Sequence, residues 1–193
     1  MKEYNPPHEN VNLIHKWSEY GGVKFPKFLV TEAGYQDRLR RYNFILEENR
    51  IKLKEGTANE DAGDSHGQFH NELAWRREQE IVGNAKLAAE IGSELPWSIR
   101  VPDLPFIRDG LHSLDIHPET QVTLTSKVTL KYLDDNDEMS VVIVPLFDGG
   151  FRNDWISVES QLAKSIGGKS TGEEVNISSV EDRPIMVRLI NIE

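Results

Sequence analysis

The residues best suited to metal-assisted chemistry lie in one short polar segment, residues 56–67. It contains three acids, Glu60, Asp61 and Asp64, and carboxylate oxygens are the ligands that Mg²⁺ prefers in proteins. It also contains three glycines and no large apolar side chain, which predicts a turn. Because acids in a turn are usually just solvated, a role for these three depends on the elements that hold them.

Helical patterns flank this turn on both sides. The first begins at Thr31, a suitable N-cap, and no proline follows before Pro96. Apolar residues there repeat at heptad spacing, with polar Asn49 in the one missing position. Helical pattern resumes at Gln68 and continues to about Gly92. The first stripe is Tyr35, Leu39, Tyr42, Leu46 and Leu53, and the second is Ile81, Ala85, Ala88 and Leu95.

These patterns divide the chain into four parts. Residues 1–27 are expected to be a loose or docked N-terminal extension, in which a short helix could form around residues 11–17. Residues 28–95 are expected to form an antiparallel coiled-coil hairpin with the acidic turn at its tip. Residues 96–120 are rich in proline and predict an irregular connector. Residues 121–193 are expected to form a β domain.

The β domain is predicted from a change of period. Residues 121–133 alternate and are rich in β-branched side chains, and residues 139–146 can pair with them as a hairpin. Residues 160–166 favour one short helix, and residues 175–179 and 185–192 supply two more strands. The predicted fold class is therefore α+β, a helical hairpin followed by a small antiparallel sheet with one helix.

The composition limits the partners and the compartment. The formal net charge of −10 argues against binding naked nucleic acid and favours a protein partner or a task that uses carboxylates. No cysteine is present, which excludes disulfides and thiolate zinc sites. No apolar run approaches the ~20 residues that span a bilayer, and the first residues do not resemble a signal peptide, so a cytoplasmic protein is expected.

A pair of histidines beside the turn has a spacing that metal sites use. His66 and His70 are four residues apart, a spacing that zinc hydrolases use, and Glu72 is nearby. The hydrolase motif has glutamate directly after the first histidine, whereas this chain has Gly67. Without that base and a clear third ligand, the pair is interpreted as exposed histidines at the start of a helix.

The C-terminal residues resemble the signature of the GreA/GreB transcription factors. Matching residues stand in register, with departures at Gln161 and Glu173. The opening of the hairpin, residues 29–39, also resembles the start of that family, so the similarity runs from about residue 28 to the end apart from the connector. The matching signature residues are Ile156, Ser157, Ser160, Ala163, Gly168, Lys169, Gly172 and Val175.

The resemblance implies a partner and a mode of action. In that family the hairpin enters the secondary channel of RNA polymerase, and an FKBP-like β domain docks on the channel rim. Such a factor is not an independent enzyme and has no cofactor of its own; it acts on the Mg²⁺ of the polymerase active site and meets RNA and DNA only through the polymerase. No membrane is involved. By resemblance, Asp148, Ser157 and Ser160 would belong to the docking face.

The resemblance also assigns roles at the tip. Gly63 and Asp64 fit the family's Gly-Asp pair, so Asp64 is the candidate acid that helps to hold the second Mg²⁺ ion and its water. The second acid of the family motif would fall at Gly67, and Glu60 or Asp61 would have to substitute for it. The leading interpretation is a factor that stimulates cleavage of backtracked RNA, and the alternative is a Gre-like inhibitor or regulator that does not cleave.

Two further alternatives change the class of protein. An FKBP-like peptidyl-prolyl isomerase would need an aromatic pocket in the β domain, where only a few aromatic side chains are available. A plain coiled-coil adaptor would bind a partner through the hairpin without any dependence on tip charge. The aromatic residues of the β domain are Tyr132, Phe147, Phe151 and Trp155.

Overall fold

The computed structural model describes residues 1–7, 16–59, 67–178 and 184–193. These residues form two compact units. The first unit combines residues 1–35 with residues 98–193, and the second unit is residues 36–97.

The chain begins with a small three-stranded sheet. Its strands are β1 (Lys2–Glu3), β2 (Trp17–Tyr20) and β3 (Val23–Pro26), in the order β1-β3-β2. β2 and β3 form an antiparallel hairpin through Gly21 and Gly22, whose φ angles of 55° and 77° are those a tight primed turn requires. Of the short helix expected around residues 11–17, Trp17 lies in a strand, and residues 11–15 lie outside the described part of the chain.

The N-terminal residues that are described are docked rather than loose. Tyr4, Tyr20 and Phe25 are 2%, 6% and 0% exposed, and they pack in the same core as Leu130 and Leu189 near the other end of the chain. Large apolar side chains such as these stabilise a fold by roughly 1.5–3 kcal/mol each when fully buried. The start of the chain is therefore an integral part of the first unit.

A fourth strand leads directly into the first long helix. β4 (Leu29–Thr31) is followed directly by α1 (Glu32–Asn59). The backbone N–H of Gly34 donates to Thr31 Oγ1 at 3.1 Å, which confirms Thr31 as the N-cap. None of the described helices combines the length and apolar composition that crossing a membrane requires.

The second unit is the predicted antiparallel hairpin. α2 (Gly67–Glu94) packs against α1, and a 3₁₀ turn (Leu95–Trp97) follows it. Arg38 pairs with Glu94 at 2.5 Å, and Lys52 pairs with Glu80 at 2.5 Å. From Arg38 to Lys52 the residue numbers on α1 increase, while those of the partners on α2 decrease from Glu94 to Glu80. The two helices therefore run in opposite directions.

The seam between the helices contains only part of the expected stripes: Ala88 is buried in it, and Tyr42 and Leu95 pack against it. Leu46 and Leu53 were predicted to face α2, but they are 45% and 57% exposed. Ile45 is buried instead, in a small cluster with Ala88 and Ile91. For the contact with α2, the heptad pattern selects Leu46, whereas the structure uses the preceding residue, Ile45. α1 carries apolar side chains on more than one face, and periodicity alone cannot choose between these faces.

Beyond this cluster the seam is polar. Asn49 is 9% exposed and its amide donates to the carbonyl of Ile81 at 3.3 Å. Asn84 donates to Glu48 at 3.3 Å, while Ala85, expected in the seam, is exposed. Polar seam positions fix the register of paired helices at some cost in stability.

The proline-rich connector contains regular structure. β5 (Ile99–Val101) pairs in parallel with β4, and α3 (Leu104–Ser113) follows it, so the expectation of an irregular connector was wrong here. Asp103 caps α3 by accepting from the N–H of Phe106 at 2.9 Å. Proline is tolerated in the first turn of a helix, where its missing N–H is not needed, and Pro105 lies there.

The C-terminal sheet has five strands: β6 (Lys127–Tyr132), β7 (Glu138–Val144), β8 (Trp155–Ser157), β9 (Glu174–Asn176) and β10 (Met186–Ile192). Their order in the sheet is β8-β7-β6-β10-β9. The hairpin of β6 with β7 confirms the prediction, and β7 pairs in parallel with β8 while the other pairs are antiparallel.

One short helix accompanies this sheet, as predicted. It is α4 (Gln161–Ile166), and Ser160 caps it by accepting from the N–H of Ala163 at 3.2 Å. Ala163 and Ile166 are fully buried against the core. The chain is thus an α+β protein, which confirms the predicted fold class.

Candidate functional site

The tip acids Glu60, Asp61 and Asp64 lie outside the described residues. Their segment, residues 60–66, joins the end of α1 to the start of α2. Gly67, which stands where the second tip acid was sought, is the first residue of α2. The chain therefore offers no carboxylate at that position.

Asp148 does not lie on a surface. It ends a 3₁₀ turn (Leu146–Asp148) and is 0% exposed. The N–H of Thr31 donates to its Oδ2 at 3.0 Å, and the Thr31 hydroxyl donates to its Oδ1 at 2.6 Å. A fully buried side chain cannot contact a partner protein at the surface. Asp148, expected on the docking face, instead accepts hydrogen bonds from Thr31 at the start of α1.

Burial changes the acidity of this carboxyl group. Desolvation raises the pKa of Asp148 from 3.8 to about 6, because the charged form loses contact with water. The hydrogen bonds from Thr31 oppose this effect and stabilise the charged form. Among the described residues, the hydrogen bonds to this carboxylate come from the backbone N–H and the hydroxyl of Thr31, which are neutral donors.

The surroundings of Asp148 are tightly packed. A Cβ atom at Gly34 would collide with its carboxylate, so glycine is needed in the first turn of α1. Phe147 is 6% exposed and stacks on Phe28 with ring centroids 5.6 Å apart. Phe147 is therefore used in internal packing and is not free to line a ligand pocket.

Ser157 and Ser160 lie together at the turn between β8 and α4. The N–H of Ser160 donates to the carbonyl of Ser157 at 2.9 Å, and Ser157 Oγ accepts from the N–H of Glu159 at 3.3 Å. Ser160 Oγ is the cap of α4. Both hydroxyls shape this turn, and both residues remain partly exposed beside it.

A patch that the sequence analysis missed lies at the start of β8. We call Phe151, Arg152 and Trp155 the aromatic patch. The rings of Phe151 and Trp155 meet edge to face at 5.8 Å, and the Arg152 guanidinium lies 5.0 Å from the Trp155 ring centre. Arg152 is exposed and both rings are partly exposed. The sequence signal is the close spacing of two rings and an arginine, whereas the sequence analysis considered the two rings only as side chains of a possible pocket.

The signature residues of the C-terminal part have structural reasons. Gly168 and Gly172 have φ angles of 77° and 90°, which favour glycine, and Ala163 is fully buried. The N–H of Gly168 donates to the carbonyl of Val122 at 2.8 Å, and the N–H of Val122 donates to the carbonyl of Lys169 at 2.8 Å. The motif thus builds α4 and the turn that closes on residue 122.

Residues 117–193 match the family model described as "Transcription elongation factor, GreA/GreB, C-term". This stretch of the chain is therefore similar to the C-terminal domain of the GreA/GreB factors. This match confirms the resemblance noted for the C-terminal residues of the sequence. Ser157, Ser160 and the aromatic patch all lie within the matched stretch.

Solved structures give a more distant likeness. GreA factor homolog 1 (Gfh1) of Thermus thermophilus is 16% identical, with 86% of this chain and 97% of that chain covered and a TM-score of 0.35. Gfh1 of Thermus aquaticus is 17% identical, with 86% and 97% covered and the same TM-score. The GreA/GreB factor of Nitrosomonas europaea is 18% identical over 54% of this chain and 78% of its own, also at 0.35. No curated protein matches the chain significantly.

Proposed function

We propose that this protein binds RNA polymerase and presents the segment 60–66 to the polymerase active site, where it stimulates Mg²⁺-dependent cleavage of backtracked RNA. The observation that carries the proposal is the combination of a GreA/GreB-like C-terminal domain with an antiparallel helical hairpin in one chain. The segment that joins the two helices carries Glu60, Asp61 and Asp64.

The chemistry requires acids at that position. A two-metal site stabilises both the attacking and the leaving oxygen of a phosphodiester. The second Mg²⁺ needs hard oxygen ligands, which a carboxylate delivered from outside the polymerase supplies. Asp64 has this role in the proposal, with Asp61 or Glu60 assisting, and the protein acts as a cofactor of the polymerase and not as an enzyme by itself.

Docking is proposed to involve the aromatic patch and the turn that contains Ser157 and Ser160. Aromatic rings and arginine are the side chains that most often dominate protein interfaces. The patch offers both, and Arg152 holds its guanidinium over Trp155 at the surface. Phe151 contacts the Trp155 ring edge to face.

The direct test is RNA cleavage in a stalled, backtracked elongation complex with Mg²⁺. The wild-type protein should shorten the RNA, and Asp64→Asn should lose this activity while it still binds the polymerase. Glu78→Gln, an exposed acid on α2, is the matched control and should cleave like the wild type. Equal cleavage by Asp64→Asn and the wild type would remove Asp64 from the proposal.

A second candidate function follows from Gly67. With glycine in place of the second acid, the factor would occupy the channel and slow elongation without cleavage. Adding the wild-type protein would then slow RNA extension and leave the RNA length in backtracked complexes unchanged. In that case Gly67→Glu should create cleavage activity, because glutamate at the start of α2 restores a carboxylate and is compatible with a helix N-terminus.

A further inference from the structure

The end of α3 and the loop after it bring together two histidines and two acids. His112 Nε2 lies 3.2 Å from Glu119 Oε2, and His117 Nδ1 lies 3.2 Å from Glu119 Oε1. One ligand atom from each of His112, His117 and Glu119 lies within 4.8 Å of the others. Both imidazoles therefore face one carboxylate. The distances between the three ligand atoms are short enough for all three to bind a single ion.

The backbone holds this arrangement in place. Asp115 has a φ of 55°, which turns the chain back at the end of α3, and its N–H donates to the carbonyl of His112 at 2.9 Å. The N–H of Ile116 donates to the carbonyl of Leu111, a fully buried residue, at 3.1 Å. The histidines are thus fixed to a packed helix and its hydrogen-bonded turn.

The N-terminal strand also supports the loop. Lys2 Nζ donates to the backbone carbonyl of Asp115 at 2.6 Å and lies 3.1 Å from its carboxylate. On the other side, the N–H of Thr120 donates to the carbonyl of His117 at 3.0 Å. Little rearrangement would be needed to bind an ion, because residues on both sides of the cluster are already held.

Asp115 completes the arrangement as an outer partner. Its Oδ1 lies 3.3 Å from His117 Nε2, while His117 Nδ1 faces Glu119. Histidines that bind a metal almost always donate the N–H of their other ring nitrogen to a carboxylate or carbonyl, which fixes the ring and increases its basicity. This second contact distinguishes the cluster from a simple pair of surface ion pairs.

The ligand types select the ion. Two imidazole nitrogens and one carboxylate oxygen suit Zn²⁺ and similar transition metals, whereas Mg²⁺ prefers oxygen ligands throughout. The side chains of His112, His117 and Glu119 are 39%, 47% and 44% exposed, so an ion can reach them from solvent. Three protein ligands leave a fourth tetrahedral position for water or for a donor from another molecule.

We propose that His112, His117 and Glu119 form a surface Zn²⁺ site, with Asp115 orienting His117. The proposal does not depend on polymerase binding. It differs from the His66 and His70 pair considered in the sequence, which has no third ligand at the required spacing.

The test is titration of the full-length protein with Zn²⁺ against a competing chromophoric chelator, repeated with Co²⁺ to record its visible ligand-field bands. The wild type should bind one ion with tetrahedral Co²⁺ bands. His112→Gln, His117→Gln and Glu119→Gln should each lose this site. Asp115→Asn, which keeps a residue that tolerates positive φ, should weaken binding about 10-fold or more.

Matched variants separate this site from other ligands in the chain. The double variant His66→Gln/His70→Gln should bind like the wild type, and so should Asp109→Asn, an exposed acid on the same helix as His112. Circular dichroism must show the same helix content in all variants. Unchanged affinity in His117→Gln and Glu119→Gln, or loss of the ion only in the His66/His70 double variant, would overturn the proposal.

Discussion

Thr31 and Asp148 are 117 positions apart in the chain and share one short hydrogen bond, in which the threonine hydroxyl donates to Asp148 Oδ1 at 2.6 Å. The same hydroxyl oxygen accepts from the N–H of Gly34 at 3.1 Å. One side chain therefore both caps α1 and ties its first turn to the C-terminal domain within the first unit. The stability of this contact depends on the charge of Asp148.

We expect Asp148→Asn to change how stability depends on pH. The pKa of Asp148 is about 6 in the folded protein and near 3.8 when the chain is unfolded, so the folded state binds this proton more tightly. Its stabilising effect is complete below about pH 4 and is lost as the pH rises through 6. Between pH 4 and pH 7 the wild type should therefore lose on the order of 2–3 kcal/mol of stability relative to the variant.

Urea unfolding from pH 4 to pH 8 measures this effect. All other acids are common to both proteins, so the difference in the free energy of unfolding isolates Asp148. The difference between the two curves should stay constant below about pH 4 and then shift in favour of the variant as the pH rises through 6. A constant difference across the range would show that the pKa of Asp148 is not raised by folding.

Gly34→Ala is expected to destabilise the protein although alanine is the better helix former. The added Cβ would meet the Asp148 carboxylate, and overpacking of this kind costs about 1–3 kcal/mol. Gly83→Ala in α2 is the matched control, because a Cβ there meets nothing within 4 Å. That variant should gain up to about 1 kcal/mol from helix propensity. Thermal and urea unfolding of both variants compares the two, and equal effects would contradict the close contact.

Local signals made much of the fold predictable. The side chains of Thr31 and Ser160 can cap a helix, and α1 and α4 begin directly after them. The β6–β7 hairpin follows from the alternation of apolar and polar residues on both sides of a polar turn. Each depends on a few neighbouring residues. The burial of Asp148 could not be predicted in this way, because its partner Thr31 is far away in sequence.

The pairing of strands that are far apart in the sequence could not be predicted either. β4 pairs in parallel with β5, and no local pattern indicates which strand a short apolar run will join. The aromatic patch was missed for a different reason, since Phe151 and Trp155 have the composition of core residues. Only the folded chain reveals that both rings stay partly exposed beside Arg152.

The observed seam of the hairpin predicts effects of different size for two neighbouring residues. Ile45→Ala should destabilise the hairpin by roughly 2–4 kcal/mol, because Ile45 is 8% exposed and packs with Ala88 and Ile91. Leu46→Ala removes a side chain that is 45% exposed and should cost less than about 1 kcal/mol. Hydrogen exchange of the α1 and α2 amides reports the local effect. A larger loss for Leu46→Ala would restore the seam expected from the sequence.

The aromatic patch predicts how polymerase binding should respond to surface changes. Arg152→Glu reverses an exposed charge without removing a core side chain, and we expect it to weaken binding to core RNA polymerase at least 10-fold, or about 1.4 kcal/mol. Trp155→Ala should have a similar effect, since it removes the ring over which the guanidinium lies. Binding is measured by fluorescence anisotropy of the labelled protein.

The control for the patch is Trp17→Ala, a tryptophan of the N-terminal sheet that is 40% exposed. It should bind polymerase with wild-type affinity, because the proposed docking face does not include it. Unfolding curves must show that Arg152→Glu remains folded. If Arg152→Glu and Trp155→Ala both bind normally, the polymerase contacts another face of the domain. If only Trp17→Ala loses binding, the docking surface lies on the N-terminal sheet instead.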